Sequence, residues 1–240
     1  MVQAVVLLSG GLDSTVMLAW ALKQGRKCHA LSFDYGQRHR VELEHAEKIA
    51  LHYNVNIQLI HIDSRIFKSS SLVSDIPIPK NRSQDEISRG KIPNTYVPAR
   101  NTLFLAYAMA LAELLNAQEI YAGPNALDAV PYPDCRPAFI QAFQGVINVA
   151  TKQAIEGTSP RLLTPLINWN KKEIIRQGMA LDVPLHMTFS CYDPLPTKEP
   201  CQVCDACILR ADGFAKAEFT QYTEALYTLA TTRNEQGYTG

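Results

Sequence analysis

Apolar runs rich in β-branched residues alternate along this chain with stretches whose apolar positions return at helical spacing. Residues 4–8, 29–33, 57–62 and 119–123 read as strands, and 13–23, 41–53, 101–116, 138–155 and 171–179 read as helices. This alternation predicts an α/β fold, a doubly wound parallel sheet with helices on both faces. Such sheets bind ligands beyond the C-terminal ends of their strands. Three loops fall at those ends: Ser9 to Thr15, Asp34-Tyr35-Gly36 and Gly123-Pro124-Asn125. They are expected to face one crevice.

The stretch 63–98 breaks the pattern. Ser69-Ser70-Ser71, Ile76-Pro77-Ile78-Pro79 and a polar run over 80–91 deny it regular structure. It reads either as a surface loop or as a lid over the substrate. No internal repeat is present. Asn170-Lys171-Lys172-Glu173 has the form of a capping box, with Asn as the cap. The two lysines then fall in a first helical turn, where the helix dipole disfavours cations. Either they are solvated, or Lys171 has an anionic neighbour such as an ATP phosphate.

Charge and composition narrow the field. The 240 residues carry 23 basic and 23 acidic side chains, a balance that argues against a broad nucleic-acid-gripping face. No apolar run is long enough to span a bilayer. The first residues lack a basic segment, and Asp13 interrupts their apolar stretch, so a soluble cytoplasmic protein is expected.

The first strand leads into Ser9-Gly10-Gly11-Leu12-Asp13-Ser14-Thr15, and a helix follows. Helix N-termini offer unpaired N–H groups and partial positive charge. Two glycines let the backbone approach an anion, and three hydroxyls add donors. The stretch reads as a phosphate cradle. It has neither the lysine and spacing of a Walker A loop nor the GxGxxG fingerprint. The plainer alternative is a glycine turn with Asp13 or Ser14 as helix cap.

Three of the six cysteines form Cys201-x2-Cys204-x2-Cys207, and Cys191 lies upstream. Clustering of this kind points to a metal rather than to disulfides. Four thiolates complete a closed tetrahedral zinc site of structural type. An iron–sulfur cluster is the rival, but Ile208, Leu209, Arg210 and Ala211 stand where a ferredoxin run would place its fourth cysteine. Cys28 reads as a small buried hydrophobe. Cys135, within Tyr132-Pro133-Asp134-Cys135-Arg136, reads as a positioning residue rather than a nucleophile.

The Ser-Gly-Gly loop resembles that of the PP-loop ATP pyrophosphatase superfamily, whose members split ATP to AMP and pyrophosphate to adenylate a substrate oxygen. Five segments in order sharpen the likeness: the loop itself, Phe33-Asp34-Tyr35-Gly36-Gln37-Arg38-His39, Tyr96-Val97-Pro98-Ala99-Arg100-Asn101, Tyr132 to Arg136, and Ser190-Cys191 with Cys201 to Cys207. Together they resemble the QueC family, the 7-cyano-7-deazaguanine synthases of queuosine biosynthesis. The likeness runs from residue 4 to about residue 217.

That resemblance implies a PP-loop domain over 1–185 and a zinc-binding extension over 186–240 packed on it. It implies adenylation of a carboxylate on 7-carboxy-7-deazaguanine, attack by free ammonia, and a second adenylation that dehydrates the amide to a nitrile. Leu8, Ser9, Gly10, Gly11, Leu12, Asp13, Ser14, Thr15, Phe33 and Asp34 would bind ATP, with Mg²⁺ beside Asp13. Asp13, Ser14, Lys171 and Arg100 would act in catalysis. Arg100, Asn101, Tyr132, Asp134 and Arg136 would read the substrate, or else brace loops through salt bridges. Zinc would sit on Cys191, Cys201, Cys204 and Cys207. The same resemblance implies a homodimer that binds neither nucleic acid nor membrane.

The chain departs from the family pattern at three places. Val130-Pro131 replaces Ser-Gly, Ala99 replaces Gly, and Gln202 replaces the glycine expected after Cys201. The first change touches the loop expected to read the base, while the other two remove no ligand. The alternatives are another PP-loop adenylating enzyme, such as a tRNA thiolase, or a zinc-stabilised nucleotide-binding module without catalysis. Zero net charge and the lack of spare length for an RNA-binding module weigh against the thiolase.

Overall fold

The computed structural model describes residues 1–38, 40–88 and 92–218. The strands are β1 (Gln3–Leu7), β2 (Lys27–Asp34), β3 (Asn56–His61), β4 (Glu119–Tyr121) and β5 (Arg161–Leu163). The helices are α1 (Leu12–Lys23), α2 (Val41–His52), α3 (Gln84–Ser88), α4 (Arg100–Leu115), α5 (Pro137–Ala150), α6 (Lys152–Ile155), α7 (Lys171–Ala180) and α8 (Asp205–Lys216). All strand pairs are parallel, in the order β3-β2-β1-β4-β5. The chain builds outward from β1 in one direction and then crosses to build outward in the other. A crevice therefore opens above the ends of β1 and β4.

Burial follows the pleat. Ala4, Val6 and Leu8 face a core layer with Val16 and Met17 of α1, Ile49 of α2 and Ile174 of α7. Val5 faces the opposite layer, with Leu105 and Ala108 of α4 and Phe143 and Ile147 of α5. A strand covered on both faces reads as a continuous apolar run, which is why β1 was plain in the sequence.

The structure corrects several expectations. The helix expected over 138–155 is two, because Thr151 is extended and its Oγ1 accepts the Ala154 N–H at 3.1 Å to cap α6. β5 has only three residues, too few for a period to show. The described part of the stretch 63–98 is packed. It holds a short turn, Ser64–Phe67, and α3, and it buries Phe67, Ser70, Ser71 and Leu72. Lys80 bridges to Cys204, Asn81 N–H reaches Val203 O at 2.8 Å, and Arg82 pairs with Asp205. The segment is thereby docked on the cysteine-rich stretch. His39, 89–91 and 219–240, which belong to the segments discussed above, lie outside the described residues. No helix among the described residues is long and apolar enough to cross a membrane.

The described part of the C-terminal segment has no core of its own. Phe214 is fully buried in the first layer, whereas Cys201, Cys204 and Cys207 belong to the second. A Cβ at Gly213 would stand 2.8 Å from the Lys171 Cβ, so α8 lies directly against α7.

Two of the departures from family glycine are backbone departures as well. Ala99 has φ +53° and Gln202 φ +65°, both left-handed. A side chain in that region costs roughly 1–2 kcal/mol. Ala99→Gly and Gln202→Gly are each expected to raise Tm by about 2–4 °C, read by thermal denaturation. An unchanged or lower Tm for both would remove the strain argument.

Candidate active site

Gly10 turns the chain at the end of β1 with φ +79°. A Cβ there would fall 2.2 Å from Glu42 O and 2.7 Å from Ala46 N, so the loop closes on α2 only with glycine. Phe189 N–H donates to Gly10 O at 2.9 Å and holds the turn from the other side. Gly11 is the N-cap of α1 and no side chain caps that helix, which sets aside the plain reading of Asp13 or Ser14 as a cap. The hydroxyls of Ser9 and Ser14 lie 3.0 Å apart at the rim. Thr15 is buried beneath them, its Oγ1 donating to Gly11 O at 2.7 Å.

Asp13 stands in the first turn of α1. Lys171 Nζ donates to its Oδ2 at 2.5 Å, and Asn125 Nδ2 donates to the same oxygen at 2.9 Å. Its Oδ1 is buried with no hydrogen-bond partner among the described residues. Asn125 also donates to Asp128 Oδ2 at 2.6 Å. Lys171 is delivered by the expected capping box: Glu173 N–H donates to Asn170 Oδ1 at 3.0 Å, and Asn170 N–H to Glu173 Oε2 at 2.7 Å. Its anionic neighbours in the protein are Asp13 and Asp128. Burial alone would lower the Lys171 pKa, but these two carboxylates outweigh it and the ammonium is held upward. Burial pushes Asp128 up to about 6, with Lys171 pulling it down and Asp13 adding to the rise.

The facing wall begins at α4. The Arg100 guanidinium lies 5.6 Å from the Tyr35 ring centroid and 5.7 Å from that of Phe104, and Nη1 donates to Tyr35 OH at 3.3 Å. Phe33 stacks on Phe104 at 3.9 Å. Asn101 N–H donates to Asp134 Oδ2 at 3.0 Å, and Asn101 Nδ2 reaches Asp134 O and the Cys135 sulfur. Burial pushes the Cys135 thiol up to about 12, so it is protonated at neutral pH, as suits a positioning residue. Tyr132 OH meets Thr95 Oγ1 at 3.0 Å.

Both walls line one cavity of about 310 Å³. It brings together Leu8, Ser9, Gly11, Leu12, Asp13 and Ser14 with Phe33 and Lys171. Arg100, Asn101, Tyr132 and Asp134 face them across it. Gly10 and Thr15 support the loop without lining the cavity. Asp34 is not in the lining either: it pairs with Arg40 at 3.0 Å and His61 at 3.3 Å and accepts the Gly36 N–H. Arg136 donates to the carbonyls of Ala129 and Val130, each at 3.2 Å, and is not in the lining.

The structure adds residues that the sequence did not single out. Glu42, on α2, lines the cavity and accepts Gln37 Nε2 at 3.0 Å. Burial pushes its carboxyl up to about 7 against the pull of Arg100 and Gln37. Tyr192 and Arg210 also line it. In sequence these residues sit within helical or cysteine-rich patterns and carry no motif of their own.

Beside the cavity, the sulfurs of Cys191, Cys201, Cys204 and Cys207 all lie within 4.8 Å of one another, a set that could hold a metal ion. Backbone N–H groups of Cys201 and Asp193 point at the Cys191 sulfur at 3.3 and 3.4 Å. Those of Tyr192 and Cys204 point at Cys204 and Cys201, both at 3.4 Å. Such donors favour thiolate ligands.

A parallel sheet with a glycine and hydroxyl loop at its switch point, faced by a lysine and two carboxylates, defines a nucleotide-using protein of the PP-loop class. Within that class the chain belongs to the QueC family: the model for "Queuosine biosynthesis protein QueC" matches residues 3–218. It is 51% identical over 219 residues to a 7-cyano-7-deazaguanine synthase of Syntrophus aciditrophicus, covering 90% of this chain and 94% of that one. It is 48% identical over 227 residues to the synthase of Myxococcus xanthus, covering 93% and 98%. The synthase of Paramagnetospirillum magneticum is 49% identical over 215 residues, covering 89% and 94%.

Glu42 supplies a pH test. A carboxyl whose folded pKa is raised destabilises the fold as pH climbs from its unfolded value, near 4.5, to about 7, and the loss is complete above that. Glu42→Gln is therefore expected to stabilise the protein by about 1–2 kcal/mol at pH 8 and to match wild type near pH 4.5, read by urea denaturation. Equal gains at both pH values would contradict it.

Proposed function

We propose that this chain makes 7-cyano-7-deazaguanine from 7-carboxy-7-deazaguanine, ammonia and ATP. One observation carries the reading: the Ser-Gly-Gly loop with its Asp13–Lys171 pair faces a wall of Arg100, Asn101 and Asp134 across a single cavity. Family membership then says which oxygen is activated.

The loop N–H groups, Ser9 and Ser14 receive the pyrophosphate end of ATP at the α1 N-terminus. Lys171 meets the charge that develops as pyrophosphate departs. Arg100 and the Phe33–Phe104 stack offer a cation and a flat apolar surface to a planar base bearing a carboxylate. The carboxylate oxygen bonds to the α-phosphorus as pyrophosphate leaves. Ammonia then bonds to the acyl carbon and AMP leaves with the oxygen. The amide oxygen attacks a second ATP in the same way, and loss of AMP and of the N–H protons leaves the nitrile. Glu42 and Asp128, the two cavity carboxyls raised toward neutrality, are the groups able to accept these protons.

Mg²⁺ fits the site through hard oxygen donors, the unpartnered Asp13 Oδ1 and the Asp128 carboxylate. When bound, it would offset phosphate charge. For the cysteine site the spacing favours zinc. Zn–S bonds of about 2.3 Å put neighbouring sulfurs about 3.8 Å apart. All four sulfurs lie within 4.8 Å of one another, with Cys191 and Cys204 at 4.0 Å, closer than a polynuclear cluster between the four would allow. All four ligand positions are filled by protein, so the role is structural. A cytoplasmic homodimer acting on small molecules alone completes the reading and rests on the family resemblance.

A mass-resolved assay with ATP, ammonium and 7-carboxy-7-deazaguanine is expected to give the amide, then the nitrile, with AMP as the nucleotide product. Folded, metal-loaded protein that yields neither product would sink the proposal, and ADP in place of AMP would sink the adenylation chemistry. Lys171→Met is expected to lower turnover by roughly 10²–10³-fold in the same assay. Turnover at the wild-type level would remove Lys171 from the mechanism.

A further inference from the structure

Helix α8 begins immediately after Cys204, its N-cap, and carries Cys207 and then Arg210 three residues on. That spacing puts the cysteine and the arginine on one face of the helix, a turn apart. Arg210 is buried, 9% exposed, yet it lines the cavity. Its Nη1 donates to Ser190 Oγ at 3.2 Å and its Nη2 to Leu185 O at 3.1 Å. The guanidinium carbon lies 5.1 Å from the Phe214 ring centroid. These partners fix the head group from three sides.

The segment that Arg210 grips is the one that holds the phosphate loop. Phe189, next to Ser190, donates its N–H to Gly10 O, and a Cβ on Gly11 would lie 3.5 Å from Phe189 O. Lys171 reaches the same cavity from α7, and Gly213 lets α8 lie against the stem of Lys171. The Arg210 charge acts against the Lys171 ammonium, and a polyanion lying between the two would accept hydrogen bonds from both.

We propose that Arg210 binds the pyrophosphate portion of ATP alongside Lys171, and that the four-cysteine site serves to fix Arg210 in register. The proposal rests on the reading of the loop as an ATP site. A helix turns 100° per residue, so a slip of one residue in α8 would swing Arg210 off the cavity. Cys207, in the first turn, is the residue through which a bound metal prevents that slip. A site with no open position for chemistry then acts on the reaction through a side chain three residues away.

The test compares two nucleotides by isothermal titration: α,β-methylene-ATP, which carries the outer phosphates, and AMP, which does not. Arg210→Met is expected to weaken the ATP analogue by roughly 10–100-fold and to leave AMP within about twofold. Arg210→Lys keeps the charge but not the planar fork, and is expected to fall between Met and wild type. Stripping the metal with a mercurial reagent, followed by thiol quenching, is expected to reproduce the same selective loss. Unchanged affinity of Arg210→Met for the analogue would overturn the proposal. So would an equal loss for AMP, which would make Arg210 a brace for the 185–190 segment. A wild type that binds neither nucleotide would overturn the ATP reading itself, and this assignment with it.

Discussion

The contact between Lys171 and Asp13 is the constraint on which the site depends. It joins the first residue of α7 to the first turn of α1, and Asn125 ties both to the loop after β4. Two helix N-termini thereby converge on one point, each with partial positive charge and unpaired N–H groups. Asp13 lies where a dipole favours it, whereas Lys171 lies where a dipole opposes it. A buried ion pair is weak evidence for stability, since desolvating both charges costs as much as their attraction returns. What the pair gives is position. With Asp128 it supplies two carboxylates to one ammonium, and leaves Asp13 Oδ1 buried and without a hydrogen-bond partner among the described residues. Local cost of that kind is expected where a charged ligand completes the set.

The opposite wall obeys a different rule. Arg100 is aimed by a backbone that no side chain prefers: Ala99 is left-handed, and its N–H is held by Tyr96 OH at 3.2 Å. That turn starts α4 and sends its first side chain between Tyr35 and Phe104. Aromatic faces attract the guanidinium while keeping its plane fixed. The cavity thus has the phosphate loop, Lys171 and two carboxylates at one end and Arg100 set among aromatic rings at the other. An adenylating enzyme needs that polarity, since a phosphate must lie at one end and a ring at the other.

β1, β2 and β4 were legible because they are largely buried on both faces and read as apolar runs bounded by turn residues. By contrast, β3 is an exposed edge strand that showed only through Ile57, Leu59 and Ile60. β5 has three residues and pairs only with β4, so neither its length nor its period could announce it. The docked segment 63–98 was hidden by its serines. Ser70 and Ser71 are fully buried, but their polar atoms are satisfied locally, by contacts within the segment such as Ser71 N–H to Asn94 O. Asp34 and Arg136 show a limit of another sort. Loop position placed them correctly at the strand ends, yet position does not give the direction of a side chain, and both turn to nearby partners. Glu42 and Arg210 failed the other way. Each sits on a helix whose polar positions look like a solvated face, and only the fold shows that face to be a cavity wall.

The cysteine-rich segment ties the site to the rest of the fold. Its described residues contribute to both layers of the core, Phe214 to one and Cys207 to the other, so α8 spans the two layers. Arg82 and Lys80 bind the segment to the docked stretch through Asp205 and Asp193. Lys198 reaches Glu44 on α2 at 2.6 Å. A helix of this length is marginal alone, and its order comes from what it packs against. The cysteine set therefore sits at the junction of the docked stretch, α2, and the helix that carries Arg210. Fixing the sulfurs fixes how those pieces meet, and hence the distance between a cation on α8 and the phosphate loop on α1.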